Sequence, residues 1–304
     1  MHGTRFCTAA IVALAAFSTV RAQSDGDVPI LAAHGVSDWP TAVTKRPLTL
    51  GAGMAELVVP VNINMSRSTE GKPVSINPSL YFGITDRWMI GVRHFEGFCV
   101  SGKANGCAKV YNDVSVDTLF SVGRAAGIDL ALGLAVNYAP IDPSAWSGEA
   151  RVVARAGGGA LAFTVAPTIN FGLSNRESRA KRAATQFDIG GTYNLVLPVP
   201  DRKLGVPLTT ADAENREFLS IPGTIQLQLG PNLAVSGGIA IEGPVDPSVG
   251  NFGDFYRVPV SVALTITPIR WIDLGASFTF PDLIGKTSHN EDFRTLGVFA
   301  AFRI

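Results

Sequence analysis

The sequence predicts an all-β chain. The expected fold is an antiparallel, up-and-down transmembrane β-barrel of about 14 strands, or 12 if one weak segment is not a spanning strand. Three observations predict it. Apolar residues recur with period two instead of 3.6, the alternating stretches run to about ten residues, and short turns alternate with long polar loops. A tilted membrane-spanning strand needs about 9–11 residues, whereas a soluble strand averages five or six. The lengths therefore favour a barrel wall over a soluble β-sandwich, whose outer faces should also be polar.

The N-terminus comes first. Arg5 is the only fixed charge before an uncharged run, Phe6 to Val20, rich in Ala, Val and Leu. Val20-Arg21-Ala22 then offers a β-branched residue and an Ala at the spacing of a cleavage site. This is the layout of a cleaved signal peptide over residues 1–22, and the apolar run is short for a helix that needs roughly 20 residues to span. Residues 23–46 are expected to be a periplasmic N-terminal arm or a plug, and residues 47–304 the barrel, entered at Lys45-Arg46-Pro47-Leu48-Thr49-Leu50.

The strands follow. From Ile128 the even positions read Ile128, Leu130, Leu132, Leu134, Val136 and Tyr138. The odd positions read Asp129, Ala131, Gly133, Ala135 and Asn137. In a strand these sets face opposite sides, one continuous and apolar, the other small and polar. The same split places Leu161, Phe163, Val165, Pro167, Ile169 and Phe171 on one face. It does so again for Val258, Val260, Val262, Leu264 and Ile266, and for Leu296, Val298, Ala300, Phe302 and Ile304.

The connections fall into two classes. Tight links lie at Thr85-Asp86-Arg87, Arg124–Gly127, Gly157-Gly158-Gly159, Pro198–Lys203, Gly230-Pro231-Asn232 and Pro268-Ile269-Arg270, all built from turn-forming types. Between them run longer polar stretches, among them Asn64–Val74, Glu96–Lys109, Ser174–Thr185 and Pro281–Glu291. Short turns on one side and long loops on the other are the transmembrane-barrel pattern, with the short turns periplasmic. The weakest strand is Leu204–Ala211, which is short and carries Pro207; without it the count is 12. A weak repeat restarts after several turns: Trp88-Met89-Ile90-Gly91, Leu130-Ala131-Leu132-Gly133, Leu233–Gly237 and Trp271–Gly275. It places Trp88 and Trp271 at one interface as an aromatic girdle, with Tyr138 and Trp146 near the opposite rim.

Composition narrows the function classes. The net charge is zero, so no basic excess points to nucleic acid, and charged residues make up 16% of the chain, below the roughly 25% usual for soluble proteins. An exported chain meets an oxidising compartment, so Cys99 and Cys107 are expected to form one disulfide in an outer loop.

At the C-terminus, Leu296-Gly297-Val298-Phe299-Ala300-Ala301-Phe302-Arg303-Ile304 resembles the terminal assembly signal of Gram-negative outer-membrane proteins, with Ile304 where those usually carry Phe or Trp and with Phe302 two before it. Ile84-Thr85-Asp86-Arg87-Trp88 resembles their inner hairpins. The resemblance covers most of the mature chain as architecture and singles out no one family. It implies an outer-membrane location, contact with lipid and lipopolysaccharide, and handling by the barrel-assembly machinery.

No residue pattern points to catalysis, a cofactor or a metal. His34, His94 and His289 have no two-His metal spacing, and His289 with Glu291 and Asp292 reads as a solvated loop. No Ser–His–acid set or phosphate-binding glycine motif occurs. The informative set is the inward face: Glu56, Arg93, Asp113, Asp117, Asp129, Glu149, Arg151, Arg155, Asp188, Glu242, Arg257, Asp273 and Arg303, set among small and polar residues. Small side chains leave space and polar ones hold water. The expected function is a passive or weakly selective channel for small hydrophilic solutes, since the charges are mixed. The alternative is a non-conducting structural or docking barrel, closed by ion pairs or by the N-terminal segment. The basic loop Ser174–Thr185 could meet lipopolysaccharide phosphates in either case.

Overall fold

The structure is a computed structural model. It describes residues 35–65, 71–95, 97–102, 110–140, 144–176, 186–188, 194–196, 215–245, 250–285 and 294–304. The signal-peptide segment, Cys107, the 198–203 turn and most of the basic 174–185 loop lie outside the described residues.

The strands are β1 (Ala55–Asn64), β2 (Val74–Ile76), β3 (Ser79–Thr85), β4 (Trp88–Arg93), β5 (Phe98–Cys99), β6 (Val114–Ala125), β7 (Ile128–Ala139), β8 (Ala145–Gly157), β9 (Leu161–Val165), β10 (Thr168–Gly172), β11 (Gln186–Asp188), β12 (Asn194–Val196), β13 (Phe218–Gly230), β14 (Leu233–Pro244), β15 (Arg257–Ile269), β16 (Ile272–Gly285) and β17 (Thr295–Arg303). Each wall strand pairs antiparallel with its neighbours, and β17 returns to pair with β1 from Glu56↔Arg303 to Asn64↔Thr295. That last ladder closes the sheet and removes its open edges.

Twelve strands form the closed wall. β9 and β10 are one wall strand interrupted at Ala166-Pro167, because both keep a single register against β8 and against β13. Pro167 has no N–H to donate, yet its carbonyl still accepts from Val152. The count is thus the lower of the two expected from sequence. β9 and β10 pair directly with β13, so no strand from the 173–217 stretch enters the wall between them. β11 and β12 pair only with each other in a separate two-stranded sheet. β2 and β5 extend the sector above β3 and β4, with β2 continuing on β1 in the register set by β3.

Five of the six tight links expected from sequence fall on described hairpins, all at one end of the barrel. At the β6–β7 turn Ala126 and Gly127 both adopt positive φ, 51° and 78°, the backbone that a two-residue hairpin with strand-like twist requires. The loops at the other end are longer. One of them holds a single turn of helix, α1 (Phe252–Phe255), capped by Asn251 and Asp254.

The alternation sets the faces. On β7, Leu132, Leu134 and Val136 are exposed on the outside, and Ala131, Gly133, Ala135 and Asn137 are buried on the inside. Leu161, Phe163 and Val165 on β9, and Val298 and Phe302 on β17, likewise point outward. The exposed residues form an apolar surface on every wall strand, far beyond the few hundred Å² that a soluble monomer tolerates. One departure occurs on β15. Val258 is buried instead of exposed, although the unbroken β14–β15 register keeps it on the same side as the outward set with which it alternates in sequence.

The expected first strand at 47–50 does not form. β1 begins at Ala55, and Leu48, Leu50 and Met54 are buried with Trp39 against inward residues of the wall. Two short 3-10 turns, at 36–38 and 43–45, precede them.

Candidate functional site

The lumen is the one place where charge, burial and wall geometry converge. Its groups fall into a network at the short-turn end and another nearer the long loops.

At the short-turn end, Asp273 stands on β16 two residues after the tight turn, facing inward. Arg303 of β17 donates to its Oδ2 at 2.5 Å, and Thr267 of β15 donates to its Oδ1 at 2.6 Å. Arg303 also pairs with Glu56 of β1 at 2.5 Å. The set therefore spans the β1–β17 seam that closes the barrel. Arg46 reaches it from the N-terminal segment as a two-pronged clamp: Nη1 donates to Oδ2 at 2.6 Å and Nη2 to Oδ1 at 2.8 Å. Such a fork is the strong, geometrically specific form of an ion pair. Trp39 packs its ring 5.1 Å from the Arg303 guanidinium.

The same segment is held on the far side of the ring. Arg155 of β8 donates to the Arg46 carbonyl at 2.8 Å and to the Val43 carbonyl at 2.9 Å, and also reaches Gln226 of β13. The Thr44 hydroxyl donates to the Gly159 carbonyl at 2.7 Å in the β8–β9 turn. β8 and β16 lie five places apart in the ring of twelve. Arg46 thus connects nearly opposite walls through its own side chain and carbonyl.

Nearer the long loops, Arg151 of β8 reaches over β7 to donate to Asp117 of β6 at 2.7 Å, and pairs with Glu149 at 3.2 Å. Arg93 of β4 donates to Glu149 at 2.8 Å, lies 3.5 Å from Asp117 and covers the Phe95 ring. Two cations face two anions, so the group is neutral. Its geometry depends on a glycine. Gly133 on β7 is the cross-strand partner of Arg151, and a Cβ there would lie 2.5 Å from the Arg151 Nε. The missing side chain lets the arginine lie along the wall. Gly91 does the same for the Tyr81 ring, and Gly275 for the Phe299 ring. These are the closing glycines of three of the four sequence repeats. Gly237, in the fourth, faces outward and meets nothing within 4 Å.

The structure sorts the residues expected inside. Glu56, Arg93, Asp117, Glu149, Arg151, Arg155, Glu242, Asp273 and Arg303 are buried in the lumen. Arg257 sits at the loop end of β15, less deeply buried, paired with Glu242. Asp129 lies at the short-turn rim, about one-third exposed, pairing Arg124 at 3.1 Å. Asp113 stands before β6, where its carboxylate accepts from the backbone N–H of Phe95 and Gly97. For Asp113 the parity of β6 was extended past the strand's end, where a loop sets the direction; Asp129 keeps the inward parity of β7, opposite Arg155, and is exposed because it stands at the rim. Nearby, burial and then the Asp113 charge push the Tyr111 hydroxyl above its ordinary range. Asp188 lies on β11, outside the closed wall. Cys99 is disulfide-bonded on β5.

Trp88 and Trp271 project outward beside short turns, Trp88 donating to Thr118 at 2.7 Å. Tyr138 and Trp146 pack with tilted rings on neighbouring strands near the other end, ring centroids 4.6 Å apart. Arg46 and Trp39 were absent from the inward set read from sequence, because they precede the first strand and no alternation assigns them a face. The only hint was the apolar spacing of Leu48, Leu50 and Met54, which pack together. Among the described residues no group of His, Cys, Asp and Glu could hold a metal ion.

No family model and no curated protein matches the chain. Solved structures do. It is similar to the NanC porin, with a TM-score of 0.51 at 7% identity, covering 82% of this chain and 100% of that one. It is equally similar to an outer-membrane channel from Pseudomonas putida F1, with a TM-score of 0.51 at 12% identity, covering 84% and 97%. At such identities the likeness is one of fold: the chain folds like outer-membrane channel barrels.

Proposed function

We propose that the protein is an outer-membrane channel for small hydrophilic solutes, with its lumen closed in this structure. One observation carries the reading. The outward face is apolar on every wall strand, while the inward face carries Ser, Thr, Ala, Gly and paired charges, its apolar members Val58, Tyr81, Met89, Leu119, Val153 and Phe299 being gathered in one cluster with the N-terminal segment. A barrel whose interior served only as a core would gain stability from apolar filling, because buried ion pairs add little or nothing over well-packed hydrophobic residues. A polar lining is what a water or solute path requires. The neutral balance of Arg93, Arg151, Asp117 and Glu149 supports weak ion selectivity. The likeness to the NanC porin and the Pseudomonas putida channel supports the same class.

In this reading the segment 1–22 is a signal peptide and N-terminal sequencing of the exported protein starts at Gln23. Cys99 pairs with Cys107. Trp88, Trp271, Tyr138 and Trp146 sit at the two membrane interfaces, Phe302 and Ile304 form the assembly signal, and the basic 174–185 loop meets lipopolysaccharide.

The test is single-channel recording in planar bilayers, on protein whose fold is checked by heat-modifiable migration. Discrete steps with a reversal potential near zero in a salt gradient are expected. A second reading, a non-conducting docking barrel, is favoured by one feature: Glu56, Asp273 and Arg303 are at most 1% exposed. Folded protein that never conducts, with or without its N-terminal segment, would establish that reading instead.

A further inference from the structure

We infer that residues Val36–Arg46 are a displaceable plug that shuts the short-turn mouth, with the Arg46–Asp273 clamp as its latch; the inference rests on the channel reading. The contacts that span the mouth come from this segment. Arg46 clamps Asp273 on one side, and Arg155 holds the Arg46 and Val43 carbonyls on the other.

Displacement follows from how the segment is held. It makes no strand ladder with the wall. Its folded units are two 3-10 turns, fastened by side chains: Arg46, Thr44 and the ring of Trp39. The next stretch is fixed differently. Gly53 and Met54 exchange backbone hydrogen bonds with Gly83 of β3, 2.8 Å and 2.9 Å long. The Gly51 carbonyl comes so close that a Cβ on Gly83 would lie 2.0 Å from it. Gly51–Met54 therefore stays with the wall, and Pro47 lies between the fixed and the removable parts.

The latch can open without leaving Asp273 unpartnered. Losing one partner of a buried pair is costly because the other is left uncompensated. Asp273 avoids this. When Arg46 leaves, Asp273 keeps the Arg303 guanidinium and the Thr267 hydroxyl, and Glu56 keeps Arg303. Arg155 keeps Gln226, and Arg46 moves to water. Every wall group keeps a partner in both positions, and the one carboxylate charge that Arg46 no longer balances meets water at the opened mouth, which is what a two-state element needs.

Conductance tests it on the full mature chain. Wild type should be closed most of the time. Arg46→Ala should raise the open probability by about ten- to a hundredfold, as expected for loss of a charged hydrogen-bonded clamp. A third variant joins Thr44→Cys to Gly159→Cys through a short bifunctional thiol reagent; a side chain at Gly159 meets nothing within 4 Å. The cross-linked protein should stay silent even when it also carries Arg46→Ala. Equal open probabilities in wild type and Arg46→Ala, or conduction through fully cross-linked protein, would overturn the plug while leaving the channel intact. Silence of wild type, of Arg46→Ala and of a chain lacking 36–46, all folded by heat-modifiable migration, would overturn the channel reading and the plug with it.

Discussion

Asp273 concentrates the chemistry of the lumen in one carboxylate. It accepts from Arg46, Arg303 and Thr267 and is fully buried. Replacing it with Ala leaves two guanidinium groups facing each other, a loss of about 3–5 kcal/mol by the measure of broken buried pairs. A urea titration in detergent, read by heat-modifiable migration, checks this; a loss below about 1 kcal/mol, the scale of exposed pairs, would mean that the cluster is solvated. Arg46→Ala should cost clearly less in the same titration, because Asp273 retains two partners. Gly133 gives a second residue-scale expectation. Gly133→Leu drives a side chain into the space of Arg151, an overpacking cost of about 1–3 kcal/mol. Gly133→Leu combined with Arg151→Ala should cost less than the sum of the two single losses. Strict additivity in that double-mutant cycle would show that the two positions do not touch.

The element scale explains what sequence could and could not reveal. β7 and β9 were legible because one face of each is continuously apolar, and a single-residue slip would turn that face inward. The end of β15 was less so, since Val258 keeps the outward parity and is nevertheless buried, which no alternation marks. The Val36–Met54 stretch was illegible for a related reason. It has no period, and its burial comes from contacts with β8, β13 and β16, far away in sequence. The apolar faces also yield a prediction. Leu134→Arg, on the outside of β7, should lower folding stability in lipid vesicles by about 2–4 kcal/mol if the site lies near the bilayer midplane. Ile128→Arg, on the outward face at the turn end of the same strand, should cost about 0–1 kcal/mol, the range for the interface. Equal costs would place both sites in the same environment.

At the scale of the whole molecule, the antiparallel up-and-down order and the two kinds of connection were legible in turn and loop chemistry, while the strand number depended on one segment. The Leu204–Ala211 stretch lies outside the described residues, and the wall closes across it through β10 and β13. A closed ring with no free edge needs only that β17 meet β1, and the Glu56–Arg303–Asp273 set lies on that seam. The plug latch and the closure of the barrel therefore share the same residues.

The claim on which the rest depends is that the two faces of each strand meet different media. Nitroxide labels placed singly at 131, 132, 134, 135 and 136 of β7, in vesicles, measure it most directly. Labels at Leu132, Leu134 and Val136 should show high collision rates with oxygen, which concentrates in lipid, and low rates with a polar nickel complex. Labels at Ala131 and Ala135 should show low oxygen collision. Loss of this period-two pattern, or its appearance on the odd positions, would contradict a barrel with an apolar outside and a polar lumen.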